Sequence, residues 1–138
     1  MDTKFSVALH ILIYISETDK VVSSELLAKS VNTNSSHIRK ILAVLKKGGL
    51  IESQQGKTGI KLAKEPKDIT LSEIYQIIYP DKYLVNIHEG ANKECPVGLN
   101  IENLLQPVFN EAQEAFYKKL ESKTLEKLIK ELYIIGEK

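Results

Sequence analysis

The apolar residues of the chain fall into six segments with helical spacing and two short segments typical of strands. In the first segment, Phe5 to Ile15, one helical face is formed by Phe5, Ala8, Leu9, Leu12 and Ile13. Its other side is also largely apolar, so the helix needs cover on two sides. We therefore expect it to lie between the segments that follow and a helix from the far end of the chain.

The stretch from Ser23 to Leu62 has the pattern of two short helices joined by a tight turn. Ser23 and Asn34 are placed to cap the two helices, because their side-chain oxygens can accept bonds from first-turn amides. The turn falls at 31–33. In the second helix an apolar stripe is formed by Ile38, Ile41, Leu42 and Leu45. This arrangement predicts a helix-turn-helix.

The second of these helices is polar on the face opposite its apolar stripe. At about 100° per residue, this face carries Ser36, Lys40, Ala43 and Lys47, with His37 and Arg39 on its flanks. Residues 35–47 include no acid, and Gly48 and Gly49 end the helix. The segments 50–53 and 60–62 then predict two strands around a glycine-containing tip, which would form a wing.

The second half of the chain predicts three more helices. Thr70 begins a capping box, and its helix ends at Pro80. Within the less regular residues 81–94, we expect a short extended piece from Tyr83 to Ile87. Thr124 is placed to cap a last helix. Between them an apolar stripe about 30 Å long indicates self-association; its residues are Ile101, Leu105, Val108, Ala112, Phe116 and Leu120. Pro107 would either kink this helix or divide it into two helices that meet near Gln106, and the sequence does not decide between them.

Charge is distributed unevenly along a chain whose net charge is +1. Residues 33–64 hold seven basic side chains against one acid, a net charge of +6, whereas the rest carries −5. This asymmetry indicates a surface that faces a polyanion. The alternative is a lysine-rich face exposed only to solvent.

Several classes of site have no support in the sequence. The single cysteine excludes an intrachain disulfide and a site built from several thiolates of one chain, and the histidines lack metal-ligand spacing. No phosphate-binding glycine loop, nucleophile elbow or carboxylate pair occurs. The apolar run near the N-terminus is too short to span a bilayer and lacks the flanks of a signal peptide. We expect a cytoplasmic protein without enzymatic activity and without membrane association.

The helix-turn-helix and wing together predict contacts with double-stranded DNA. An α-helix fits the major groove, where small polar residues allow close approach and basic residues reach guanine or phosphate. The wing would contact phosphates or the minor groove. A winged helix used only for protein contacts is the alternative. The candidate DNA-contact residues are Ser23, Thr33, Asn34, Ser35, Ser36, His37, Arg39, Lys40, Lys47, Gln55, Lys57 and Thr58.

Cys95 is a candidate redox sensor. It precedes Pro96, which suits the first position of a helix, and a helix N-terminus favours the thiolate. An unreactive, half-buried cysteine is an equal alternative. A thiol-dependent enzyme would need a base near the thiol, and only His88 is close in sequence.

Four segments of the chain resemble the Rrf2 family of bacterial transcription regulators: 32–42 (NTNSSHIRKIL), 45–53 (LKKGGLIES), 62–66 (LAKEP) and 68–71 (DITL). Residues 88–98 resemble its YwnA-like branch. The resemblance implies a winged-helix homodimer held by a long C-terminal helix, which binds an inverted repeat and usually represses. It places the start of the recognition helix at Asn34 to Lys40 and the wing tip at Gly56 to Gly59. Cluster-binding members carry three cysteines near the long helix, whereas this chain has only Cys95, so we expect no iron–sulfur cluster and no cofactor.

The sequence thus predicts a mainly α fold with a small β-hairpin wing and a long C-terminal dimerisation helix. Residues 1–80 would form the winged-helix DNA-binding domain, and residues 81–138 a sensor loop and helical dimerisation region. The predicted function is that of a homodimeric repressor that reads a pseudo-palindromic operator. Its expected partners are double-stranded DNA and a second copy of the chain, and the sequence names no effector.

Overall fold

The computed structural model describes residues 2–54 and 59–137, and these ranges contain six α-helices and one two-stranded antiparallel hairpin. The predicted fold class, mainly α with a β-hairpin, is confirmed. A short 3₁₀ turn, Pro66–Asp68, lies between the hairpin and the fourth helix. In chain order the elements are α1 Lys4–Glu17, α2 Ser24–Val31, α3 Ser35–Lys47, β1 Ile51–Gln54, β2 Gly59–Leu62, α4 Leu71–Ile78, α5 Pro96–Glu121 and α6 Leu125–Gly136.

Local signals set the ends of these helices as predicted. The side-chain oxygens of Ser23, Asn34, Thr70 and Thr124 each accept a bond from a first-turn backbone N–H, at 3.1, 2.8, 3.1 and 3.2 Å respectively. Asn32 turns the chain between α2 and α3 with a φ of +63°. Gly49 follows α3 with a φ of +80°, a conformation that glycine adopts without a steric cost.

Helix α1 lies at the centre of a single hydrophobic core. It contacts α2, α3, α4, β2 and α6. Its buried residues are Ala8, Ile11, Leu12 and Ile15. The predicted face was therefore wrong in part, since Phe5, Leu9 and Ile13 are only half-buried. The spacing could not choose between two apolar sides, and the elements packed around α1 made the choice. The expected cover from the chain's end is confirmed, because Leu125 and Ile129 of α6 belong to the same core.

The hairpin is attached to the segment between α1 and α2. β1 pairs with β2 from Ile51 opposite Leu62 to Gln54 opposite Gly59. The Ile60 N–H donates to the Val22 carbonyl at 3.3 Å. Gly59 has a φ of +61°, and a Cβ there would lie 2.5 Å from the Val22 oxygen. Only glycine therefore fits at this position, where β2 begins.

Helix α5 is one continuous helix of 26 residues that includes Pro107, which excludes the alternative of two helices that meet near Gln106. A proline removes one backbone hydrogen bond, and here the turns on both sides of it continue the helix. All its side chains stay at least partly exposed. Across the described ranges, no helix combines the length and apolar character needed to cross a membrane.

The C-terminal half of α5 packs on α4 through aromatic rings. The centroids of Tyr75 and Phe116 lie 5.0 Å apart in an edge-on arrangement, and Tyr117 lies 5.7 Å from Tyr75. Phe5 of α1 contacts the opposite side of Tyr75 at 5.1 Å. Leu120 also packs against the core. This half of α5 is therefore joined to the body of its own chain.

Residues 83–87 contain no strand, so the predicted extended piece was wrong. A strand requires a neighbouring strand, and the loop instead lies along α5. The Leu84 N–H donates to the side-chain oxygen of Gln113 at 2.9 Å. At the other end of the loop, the Cys95 N–H donates to the Asn92 carbonyl at 3.2 Å. This loop is therefore held by helix α5 and not by pairing with a strand.

Leu125→Ala tests whether α6 is part of the core. Leu125 is fully buried, so its truncation should lower the free energy of unfolding by about 2–5 kcal/mol. Urea denaturation measures this loss. The control is Leu84→Ala, which truncates a side chain that is 37% exposed and should cost much less. Equal costs for the two variants would show that α6 is not held by the core.

Candidate nucleic-acid interface

Helix α3 presents a polar face to solvent because its apolar stripe is turned into the core. Ile38, Ile41, Leu42 and Leu45 are buried, as their spacing predicted. The exposed residues on the opposite side are Ser36, Arg39, Lys40, Ala43 and Lys47. Small side chains thus lie between basic ones on a convex surface. Such a surface can approach the base edges of the major groove closely and contact them with its basic groups.

Arg39 is held between two side chains on the α3 surface. Its guanidinium donates to the Ser35 hydroxyl at 3.2 Å and lies 3.9 Å from a carboxylate oxygen of Glu25 on α2. Both members of this ion pair are more than half exposed, so the pair contributes little to stability. Glu25 is not among the residues predicted from the sequence, because its proximity to Arg39 depends on how α2 and α3 pack. Glu25 places one negative charge at the border of the basic face.

Several predicted DNA-contact residues at the helix starts have side chains that already make hydrogen bonds within the protein. The side chains of Ser23 and Asn34 are used as helix caps, and the Ser35 hydroxyl accepts from Arg39. Thr33 and His37 are half-buried. Of the predicted contact residues on α3, the four most open to a ligand are Ser36, Arg39, Lys40 and Lys47.

The wing continues the basic surface. The Lys46 ammonium donates to the Ser53 hydroxyl at 2.7 Å and so connects the end of α3 to β1. Lys61 is exposed on β2. The predicted wing-tip contacts Gln55, Lys57 and Thr58 lie outside the described residues.

Cys95 occupies the N-cap position of α5 and is exposed. The backbone N–H groups of Gly98 and then Val97, which lie near the thiol in the first turn of α5, lower its pKa below the ordinary value, although neither makes a hydrogen bond to the sulfur by distance and angle. The thiol is therefore not half-buried, and its reactivity stays a prediction. His88, the base that a thiol-dependent enzyme would need, lies in the adjacent loop and is exposed.

The six predicted dimerisation residues do not share one surface. Phe116 and Leu120 pack against the chain's own body, and Ile101 and Leu105 are half-buried. Val108 and Ala112 are exposed. We call the apolar surface that does lie open the α5 stripe. It consists of Val97, Leu104, Val108, Ala112 and Ala115, all exposed and within about 80° of one another around the helix axis.

A second apolar surface lies where α1 meets the end of α6. This groove has a volume of about 770 Å³, and its apolar lining residues are Phe5, Leu9, Ile13, Tyr14 and Leu132. Tyr133 beside it donates to Glu17 at 2.5 Å and fixes α6 against α1. The half-buried side of α1 thus remains open to a partner.

The family model Rrf2, described as an iron-dependent transcriptional regulator, matches residues 1–131. The chain belongs to the Rrf2 family. Its members are transcriptional regulators that bind DNA, not enzymes. The resemblance seen in the sequence is therefore confirmed.

Relatives of this Rrf2 chain match over nearly its whole length. It is 38% identical over 133 residues to YwnA of Bacillus subtilis (strain 168), a candidate helix-turn-helix regulator, covering 96% of this chain and 99% of that protein. It is 30% identical over 128 residues to the regulator NsrR of Halalkalibacterium halodurans, covering 92% and 86%. A crystal structure of a candidate transcriptional regulator from Lactobacillus plantarum is 28% identical with a TM-score of 0.78, covering 96% and 91%.

The residues of this chain do not fit the iron site that the family description implies. Iron–sulfur clusters are held chiefly by several cysteines, and the sequence has one. Within 2–54 and 59–137, no three His, Cys, Asp or Glu side chains come together in a way that could hold a metal ion. We therefore assign no role to iron in this chain.

The lowered pKa of Cys95 predicts a measurable reactivity. Because the folded state favours the thiolate, iodoacetamide should alkylate the native protein with a pH midpoint below that of the urea-unfolded protein. Mass spectrometry across a pH series gives both midpoints, with Cys95→Ser as the blank. Identical midpoints for native and unfolded protein would show that the N–H groups of Gly98 and Val97 do not lower the pKa of the thiol.

Proposed function

We propose that this chain is a homodimeric transcriptional repressor that reads a pseudo-palindromic operator with α3 and the wing. The observation that carries the proposal is the exposed face of α3, which is small, polar and basic and opposes a fully buried apolar stripe. Residues 1–80 act as the DNA-binding part and residues 81–138 as the sensor loop and dimerisation region. As a regulator of bacterial transcription, the protein acts in the cytoplasm.

The recognition helix divides its work between bases and phosphates. Ser36, Arg39 and Lys40 are exposed on the outer face and read base edges, with His37 at their side. Lys47 at the end of α3 neutralises a phosphate. Ser23, Thr33, Asn34 and Ser35 shape the helix starts that approach the DNA backbone, and Gln55, Lys57 and Thr58 extend the contact along the wing. Since every lysine contact releases counterions, affinity falls steeply as salt rises.

A second copy of the chain covers the α5 stripe. Val97, Leu104 and Val108 are 68%, 66% and 55% exposed, so the stripe is a continuous apolar surface on a long helix. Such a surface is unfavourable in water unless it is covered. Pairing through it places two α3 helices in successive major grooves, about 34 Å apart, which matches the symmetry of an inverted repeat.

Cys95 is the proposed point of redox control. Its thiol is exposed and favours the thiolate, which is the form that oxidants attack. Oxidation would alter the N-terminus of α5 and so the element that pairs two copies. The proposal fails if Cys95→Ser leaves both the DNA affinity and its response to peroxide or diamide unchanged.

Arg39→Ala tests the base-reading role of α3. Loss of a bidentate guanine contact should cost about 1–3 kcal/mol of binding free energy and relax the preference at one position of each half-site. Duplexes selected from a random pool by the wild type supply the operator and its half-site spacing. Fluorescence anisotropy on variants of that operator then measures both effects.

The matched control is Lys130→Ala on α6, which removes one exposed positive charge far along the chain and should leave the operator profile unchanged. An Arg39→Ala profile equal to wild type removes Arg39 from this role. Binding that does not weaken with added salt would favour a protein-interaction module over a DNA-binding regulator.

Leu104→Glu tests the pairing surface. A carboxylate in the middle of the α5 stripe should separate the dimer into folded monomers and weaken operator binding, since each half-site would then be bound alone. Sedimentation velocity gives the mass. Val21→Glu makes the same change at an apolar residue that is 63% exposed outside the stripe, and it should remain dimeric. A Leu104→Glu protein of unchanged mass refutes this interface.

A further inference from the structure

We propose that this chain binds a small zwitterionic molecule of the amino-acid type in a cleft between residues 83–93 and the N-terminal half of α5. We call this space the loop–helix cleft. Its volume is about 870 Å³, within the range of about 300–1,000 Å³ that is usual for small-molecule sites.

The structure fixes the walls of the loop–helix cleft at both ends. At the start of the loop, the Leu84 N–H donates to Gln113 of α5 at 2.9 Å. At its end, the loop lies against the first turn of α5 so closely that a Cβ at Gly98 would collide with the Asn92 carbonyl. Glycine at position 98 thus permits the contact that closes this end. A loop held in this way gives a preformed site, which lowers the entropy cost of binding.

The lining of the cleft combines an apolar floor with a charged rim. Ile87, Ile101 and Phe109 are half-buried and form the apolar part. Glu89, Glu102 and Lys93 line the same cleft and are exposed. A suitable ligand therefore has an apolar body and carries both signs of charge.

This charge pattern defines the class of ligand. Two carboxylates provide partners for an ammonium group, and Lys93 provides one for a carboxylate. A single lysine in the lining is a poor match for a phosphate-rich ligand, which normally meets several basic groups. The arrangement thus favours an α-amino acid or a molecule of similar size with both termini free.

Most α5 residues that line the cleft lie on the side of the helix away from the α5 stripe, whereas Ile101 lies only about 40° from Val97 and borders both surfaces. At about 100° per residue, Leu104 and Val108 are each about 160° away from Gln106, which lines the cleft. Pairing of two copies through the stripe therefore leaves the cleft side of α5 open. The ligand site does not compete with the proposed dimer.

A continuous series of packed elements joins the cleft to the recognition helix. The face of α5 that lines the cleft continues toward Phe116, which packs on Tyr75 of α4. From the same helix α4, Ile77 packs so closely on the end of α3 that a Cβ at Gly48 would lie 2.7 Å from its side chain. A ligand that fixes α5 can thereby bias α3. This coupling rests on the proposed DNA-binding function, whereas the binding of the ligand does not.

Isothermal titration of the full-length protein with each proteinogenic L-amino acid tests the proposal. At least one should bind, and its N-acetyl amide derivative, which has neither charge, should bind at least tenfold more weakly. Glu102→Gln should weaken binding by about tenfold through loss of one charged partner. Glu111→Gln is the matched control, because Glu111 lies on the opposite side of α5 and should leave the affinity unchanged.

The possible outcomes distinguish a failure of the ligand site from a failure of the proposed DNA recognition by α3 and the wing. Absence of binding by every amino acid at about 10 mM, or binding that Glu102→Gln and Lys93→Gln leave unchanged, overturns the ligand site. Amino-acid binding that persists in Arg39→Ala, a variant of the recognition helix α3, supports the site independently of DNA binding. Binding that leaves operator affinity unchanged keeps the site and refutes only the coupling to α3.

Discussion

The structure depends on the burial of one side of α1. Ile11 and Leu12 are fully buried there, and α2, α3, α4, β2 and α6 all contact this helix. The burial of a large aliphatic side chain contributes about 1.5–3 kcal/mol, and α1 carries several such residues at the centre of the only core in the described chain. α6 returns to this core from the far end of the sequence through Leu125 and Ile129. The two halves of the chain are therefore stabilised together.

The surface of α3 follows from this core. Because Ile38, Ile41, Leu42 and Leu45 must face inward, the opposite side of the helix has one orientation only. Asn34 fixes where that helix begins, and Gly49 lets the chain leave it. The wing is positioned from the same core through the bond between Ile60 and Val22. The core can thus hold α3 and the wing, with their exposed basic residues, in fixed positions without burying a charge.

Helix α5 differs from the other helices because none of its side chains is buried, and it reaches the core only near its C-terminal end, through Leu120. Its C-terminal half contacts α4 through aromatic rings, while its N-terminal half is separated from the loop by the cleft. The opposite side carries the α5 stripe. One helix therefore presents a surface suited to a second copy of the chain and another suited to a small molecule, and both are linked to α3 by packing through Tyr75 and Ile77. Under the two proposals above, binding of a second copy or of a ligand to α5 can affect α3 without any change in the residues of α3.

The sequence by itself determined the features that depend on neighbouring residues. Helix caps at Ser23, Asn34, Thr70 and Thr124, and the two faces of α3, follow from spacing and side-chain chemistry within a few turns. Tertiary structure decided the rest. It chose the buried side of an α1 that is apolar all round, and it brought Glu25 to Arg39. It also used Phe116 and Leu120 within the chain, which left Leu104 in the open stripe. These outcomes depend on how helices distant in sequence pack against one another, and no local pattern encodes that packing.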